Sequence, residues 1–201
     1  MKKAIWNILF IFFLGMAQAS ACSLQDTRVC DIDAKLREFS KNHVVTYQPL
    51  STSVLSIAAE QEWVIGAADI IHLGDTKLYG DDELLFLLAH EYGHSVLKHG
   101  RQLLESVAVS EDKSLPDLVL LNKYQDKMDT VTSALNHQQE FEADAYAIRV
   151  MSHMHKDAIA AMRGVLKVTV STESHPSRRV RLEKAKEVIA ALPNDALAVA
   201  P

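Results

Sequence analysis

Apolar residues run without interruption from Leu84 to Ala89, directly behind three acids at Asp81-Asp82-Glu83. Acids suit the first turn of a helix, where the dipole favours negative charge, and a helix with no polar face is buried on every side. The pattern predicts a buried helix running to Leu97, with His99 near its end and Gly100 placed to cap it. Upstream, Asp31 to Lys41 carries Ile32, Leu36 and Phe39 at helical intervals between charges, which predicts a short amphipathic helix over one side of the core. Val44–Tyr47, Glu62–Ile65 and Asp69–Leu73 are β-rich and punctuated by Pro49, Gly66, Gly74 and Gly80, so a small sheet is expected before the buried helix. Downstream, Leu103, Leu104 and Val107 continue a helical pattern, Ser110 to Ser114 breaks it, and Pro116 opens an apolar stretch to Leu121. Arg101 to Asn136 is the least legible segment; plain helical packing is favoured over a lid or substrate-contacting loop. A second long helix is expected around His137–Ile148, with Phe141, Ala145 and Ile148 facing inward, and a last one over Arg178–Ala191.

The N-terminus changes the picture of where the chain works. Lys2-Lys3, an apolar centre of about eleven residues and the small residues around Ala17-Gln18-Ala19-Ser20-Ala21 read as a secretory signal peptide, too short for a comfortable membrane span. Cleavage after Ala19 or Ala21 leaves an exported, periplasmic protein. The expected organisation is a signal peptide at 1–21, one domain at 22–192 and a frayed tail at 193–201. Cys22 and Cys30 are the only cysteines and stand together in a compartment that permits oxidation, so a Cys22–Cys30 disulfide is the preferred reading. Lipidation of Cys22 competes with it and would tether the protein at a membrane surface.

Charge removes one class of partner. The formal net charge is −5, and loss of Lys2 and Lys3 turns 21 basic against 26 acidic residues into 19 against 26, or −7. No basic footprint for nucleic acid is present.

Within the buried helix lies His90-Glu91-Tyr92-Gly93-His94, an H-E-x-x-H sequence. Residues four apart on a helix lie nearly above one another, so both imidazoles can reach one point with Glu91 beside them. That is the pattern of a zinc site with its base: zinc takes neutral imidazole nitrogen, and a neighbouring carboxylate can take the proton of an attacking water. Unpartnered imidazoles on a buried helix would be costly, which favours the metal reading over two solvated histidines. Two histidines leave a third ligand to find, and a carboxylate from a second helix is one standard solution. Glu140 and Asp144, four apart, offer one: Glu140 for the metal and Asp144 for the second ring N–H of a ligating histidine. His99 reads as structural, too far along the same helix to share the site. His153 and His155 are rotated away from Glu140's face. His175, before Pro176, reads as a loop residue.

Taken together, H-E-Y-G-H, then Glu140-Phe141-Glu142-Ala143-Asp144, then Ser174-His175-Pro176-Ser177 with Arg181-Leu182 resembles the gluzincin zinc metallopeptidase family of the CAAX prenyl endopeptidase, HtpX and BepA type. That family shares H-E-x-x-H, E-x-x-A-D on a second helix, and H-P with an Arg and an aliphatic residue six and seven positions later. The likeness spans about Asp69 to Arg181. Members often carry Ser-Arg where this chain has Asn136-His137, and the membrane spans of prenyl endopeptidases and HtpX have no counterpart here. The resemblance implies an α+β, mainly helical zincin-like domain with a small sheet beside the H-E-x-x-H helix. It implies His90, His94 and Glu140 as ligands of one zinc ion per chain, Glu91 as general base, and Asp144 and Arg181 as supporting residues. For His175 it implies a fourth ligand or a donor to the oxyanion, with a plain surface histidine as the alternative.

The expected activity is metal-assisted hydrolysis of polypeptide substrates in the cell envelope. In such a protease an exposed strand edge beside the metal can hold an extended peptide, with Asp69–Leu73 the candidate and an ordinary core strand the alternative. Two other classes stay open: a zinc-containing periplasmic chaperone or assembly factor that binds but rarely cleaves polypeptides, and a domain whose zinc only stabilises the fold.

Overall fold

The structure is a computed structural model describing residues 26–42, 52–53, 61–64, 70–73, 75–116, 119–120, 123–124, 127, 133–168 and 175–193. The expected signal peptide, Cys22 and with it the disulfide or lipid, the Val44–Tyr47 strand and the tail from 194 onward lie outside the described residues. Mainly helical, the chain runs through α1 (Thr27–Asn42), β1 (Thr52–Ser53), β2 (Gln61–Val64), β3 (Ile70–Leu73), α2 (Asp81–Val96), α3 (His99–Val107), α4 (Ser133–His153), α5 (Ala158–Val168) and α6 (Arg178–Ala190).

The centre is α2. Every residue from Leu84 to His90 is buried, as a helix without a polar face requires. Its three acids sit in the first turn, and the Gly80 N–H donates to Glu83 Oε2 at 3.0 Å, satisfying one of the orphan amide donors there. Around it pack α1 through Val29, Ile32, Leu36 and Phe39, α4 through Tyr146, Ala147, Ile148, Val150 and Met151, and α5 through Ala161, Met162 and Val165. The contact with α4 is close at Gly93, where a Cβ would lie 3.1 Å from Tyr146 Cβ. Tyr92 stacks on Tyr146 with ring centroids 6.4 Å apart, and Tyr146 Oη lies 3.1 Å from Ser40 Oγ of α1. Three helices are thereby fixed at the level of the H-E-x-x-H turn.

The inward stripe expected on α4 differs from the one found. Phe141 and Ala145 are only partly buried, whereas Ala143, Asp144, Tyr146, Ala147 and Ile148 are buried. With α2, α5 and α6 all packed against it, α4 has no single buried face.

The described strands pair in the order β1-β3-β2, with β1 parallel and β2 antiparallel to β3. Thr52 and Ser53 face Ile71 and His72, while Gln61 to Val64 face Leu73 to Ile70. Of the two readings of this stretch, the ordinary strand holds over the peptide-docking edge for the described Ile70–Leu73, because β3 is the middle strand, paired with β2 along its length and with β1 at Ile71 and His72. The loop from β3 to α2 is tied to α1 by Arg28, which donates to Tyr79 O at 3.0 Å, Thr76 O at 3.1 Å and Asp26 Oδ2 at 2.7 Å.

Lys98 adopts a left-handed conformation, φ 61°, and ends α2. The break falls before His99, not at Gly100, and α3 starts anew at His99. Beyond it Leu104, Ala108, Leu120 and Tyr124 form a second small core. No helix among the described residues is long and apolar enough to cross a membrane.

Candidate metal centre

Two helices and one loop bring the sequence-predicted residues together. His90 and His94 leave α2 one turn apart with their Nε2 atoms 3.2 Å from each other. Glu140, buried on α4, places Oε1 at 3.4 Å from His94 Nε2 and Oε2 at 3.6 Å from His90 Nε2. One ligand atom from each of the three lies within 4.8 Å of the others, a set able to hold a metal ion.

Around this triangle, the charges are arranged to keep Glu140 ionised. Burial pushes its carboxyl up, but His90, His94 and Arg181 beside it outweigh that effect and hold it well below the usual carboxylate range. Glu140 Oε2 is nevertheless a buried oxygen without a hydrogen-bond partner. An ionised carboxylate oxygen in the interior with an ion-pair contact, Arg181 Nη1 at 3.4 Å, but no hydrogen bond is incompletely satisfied. A divalent cation shared with two imidazole nitrogens would satisfy it, and two His with one carboxylate match a catalytic zinc's donor set. The residues fit the group.

Behind His90 stands Asp144, wholly buried, with Oδ1 at 3.0 Å from His90 Nδ1. An ionised carboxylate only accepts, so His90 carries its proton on Nδ1 and keeps the Nε2 lone pair free. Asp144 stays ionised although burial raises it, because Arg181 donates through Nε to Oδ2 at 2.8 Å and through Nη2 to Oδ1 at 2.6 Å. The same guanidinium reaches Glu140 Oε2 at 3.4 Å through Nη1.

Glu91, next to His90 in the chain, is pushed up to about 7, first by burial and then by the negative charges of Glu140 and Asp144, while His90 and Arg181 oppose them. His175, on the loop before α6, brings Nε2 to 3.6 Å from Glu140 Oε1. It stands outside the set of three and remains 48% exposed.

His99 stays outside the set of three, as its reading as a structural residue has it, but it lies closer to His94 than its position in the sequence implies. In a continuous helix a residue five positions beyond His94 would be rotated by about 140° and raised by about 7.5 Å. The left-handed turn at Lys98 removes that geometry, and His99 Nδ1 lies 2.8 Å from His94 Nδ1 with the rings at 77°. Its other nitrogen, Nε2, is 3.1 Å from Glu142 Oε2, and its carbonyl accepts from Gln139 Nε2 at 3.1 Å. Burial, then the charge of His94, lowers His99 to about 4. No sequence signal marks the break, since lysine has no preference for left-handed backbone. His153, by contrast, packs edge-on against Phe39, away from the centre.

A family description, Peptidase family M48, matches residues 70–189. No curated protein and no solved structure matches the chain.

Proposed function

Because the chain belongs to peptidase family M48, we propose that it is a zinc metalloendopeptidase centred on His90, His94 and Glu140. The observation that carries this reading is the meeting of three donor atoms from two helices within 4.8 Å, beside a buried carboxylate oxygen that has an ion-pair contact with Arg181 at 3.4 Å but no hydrogen bond. Bound there, zinc would supply Lewis-acid polarisation of a peptide carbonyl and acidify water near neutral pH.

The chain's own residues do the rest. Glu91, adjacent to His90 in the H-E-x-x-H turn and raised by burial, is the carboxylate that would take a proton from the attacking water and return it to the leaving amine. His175, half exposed with Nε2 at 3.6 Å from Glu140 Oε1, stands at the edge of the site, where an N–H from its ring would stabilise an oxygen that gains charge in the transition state. Asp144 and Arg181 hold His90 in the tautomer that leaves Nε2 unprotonated.

The sequence of the first 30 residues supports an envelope location, a mature domain beginning near Cys22 and a Cys22–Cys30 disulfide, with unfolded or extended envelope polypeptides as substrates. The test is cleavage of an unfolded casein-type substrate by the purified mature chain, with and without chelator, alongside zinc stoichiometry. One zinc per chain and chelator-sensitive cleavage are expected. One zinc with no cleavage of any unfolded chain would support a binding factor instead, and no zinc would overturn the reading.

A further inference from the structure

We propose that His99 and Glu142 form a positioning relay that fixes the tautomer of His94, the second arm of a support system whose first arm is Asp144 on His90. The proposal rests on His94 being a metal ligand, but its geometry stands in the protein alone. His94 Nδ1 and His99 Nδ1 are 2.8 Å apart, so one of them carries the hydrogen and the other a lone pair. Glu142 decides which. Its Oε2 lies 3.1 Å from His99 Nε2, and a carboxylate can only accept, so His99 carries its proton on Nε2. A neutral imidazole has one N–H, which leaves His99 Nδ1 as the acceptor and His94 Nδ1 as the donor. His94 Nε2 then presents its lone pair where His90 Nε2 and Glu140 converge.

Each part of the relay is held. His99 is 2% exposed, its backbone oxygen is bonded by Gln139, and its position depends on the left-handed turn at Lys98. Glu142 is kept in place by Gln138, whose Nε2 donates to Oε1 at 2.6 Å. The two arms differ in character. His90 is backed directly by a carboxylate, whereas His94 is backed by a neutral ring with the carboxylate one ring further out, so His94 is the less basic ligand.

Nitrogen-15 NMR of the metal-free full-length chain tests the relay without catalysis. With no cation between them, the facing Nε2 atoms of His90 and His94 share a proton, so the readout is confined to the contact between the His94 and His99 rings. His94 Nδ1 should be protonated and His99 Nδ1 should not, with the His99 proton on Nε2; the reverse assignment at those two Nδ1 nitrogens overturns the proposal. The second measurement is the Zn(II) dissociation constant by chelator competition. His99→Phe keeps the ring volume and loses the acceptor, and should weaken binding about 10–100-fold. His99→Asn places an oxygen near the Nδ1 position and should recover most of that loss. A purely space-filling His99 would give the opposite order, with Phe tolerated and Asn not. Should the Phe variant fail to fold, Glu142→Ala at a 40% exposed side chain serves in its place, with His99 expected to populate both tautomers. Unchanged zinc binding and unchanged tautomers in Glu142→Ala would overturn the relay. Absence of zinc binding by the wild type would instead overturn the metal reading, leaving the tautomer measurement to judge the relay alone.

Discussion

Arg181 grips both oxygens of Asp144, Nε to Oδ2 at 2.8 Å and Nη2 to Oδ1 at 2.6 Å, so the oxygen that orients His90 is itself pinned by a guanidinium from α6. Both side chains are buried, and this fork is a geometry that lysine cannot reproduce. Removing the cation strands two carboxylates, Asp144 and Glu140, in the interior. Arg181→Met should therefore destabilise the zinc-free protein by about 3–5 kcal/mol. Arg181→Met with Asp144→Asn should recover part of that loss, because the stranded charge goes with its partner. Urea unfolding in chelator checks both, and a single variant within 1 kcal/mol of wild type would contradict the role given to Arg181.

Glu91 belongs to the chemistry rather than to the ligand set. Glu91→Gln keeps the volume and loses the proton acceptor, so turnover should fall by about 10²–10⁴-fold or more while zinc stays bound. Zinc content by mass spectrometry and cleavage of an unfolded chain separate the two effects. Full cleavage by the variant would remove Glu91 from the mechanism.

How much of this could be read beforehand differs between elements for physical reasons. The buried α2 was legible because an apolar run of its length leaves few alternatives, and the motif inside it follows from helical spacing alone. Glu140 and Asp144 are legible because two histidines leave a zinc one ligand short and the family pattern then points to the same residues; by themselves, two acids four apart on a helix are ordinarily solvated. The inward residues of α4 were misjudged because a stripe presumes one neighbour and this helix has several. The middle position of β3 depends on β1, which is two residues long and leaves almost no trace in the sequence. The contact of His99 with His94 is not legible, because one backbone rotation at Lys98 turns a remote structural residue into a neighbour.

Asp26 links α1 to the loop before α2, and its ionisation should appear in the acid limb of the stability curve. Its carboxyl is lowered to about 2, chiefly by the side-chain hydrogen bond from Arg28 and against burial, with help from the Thr76 hydroxyl at 2.7 Å. A carboxylate depressed on folding stabilises above its unfolded pKa of about 4, and the contribution is lost as pH falls toward its folded value. Screening at this partly exposed site limits it to about 1 kcal/mol. Asp26→Asn should thus be less stable than wild type at pH 7, with the two curves converging between pH 4 and 2. Curves that stay parallel across that range would show that Asp26 does not titrate in this way.

Two glycines look alike in sequence and should respond differently to alanine. At Gly164 a Cβ would lie 1.8 Å from Glu83 Oε1, the shorter contact, but the obstacle is the end of a flexible side chain. Glu83 can swing aside, losing its hydrogen bond from the Gly80 N–H, and a helical alanine gains about 1 kcal/mol over glycine in propensity. The loss of that cap interaction is about 0.5–2 kcal/mol, so the net effect of Gly164→Ala should be small. At Gly93 the Cβ would meet Tyr146 Cβ at 3.1 Å and its ring at 3.2 Å, atoms held by α4's backbone and by the stack on Tyr92. Neither can yield without separating α2 from α4. Gly93→Ala should cost about 1–3 kcal/mol despite the longer distance, and should also weaken zinc binding, because the same separation moves Glu140 away from His90 and His94. Chemical denaturation and zinc competition on the two variants decide the comparison; a larger loss at Gly164 than at Gly93 would mean that Glu83, not the α2–α4 contact, sets the spacing of the helices.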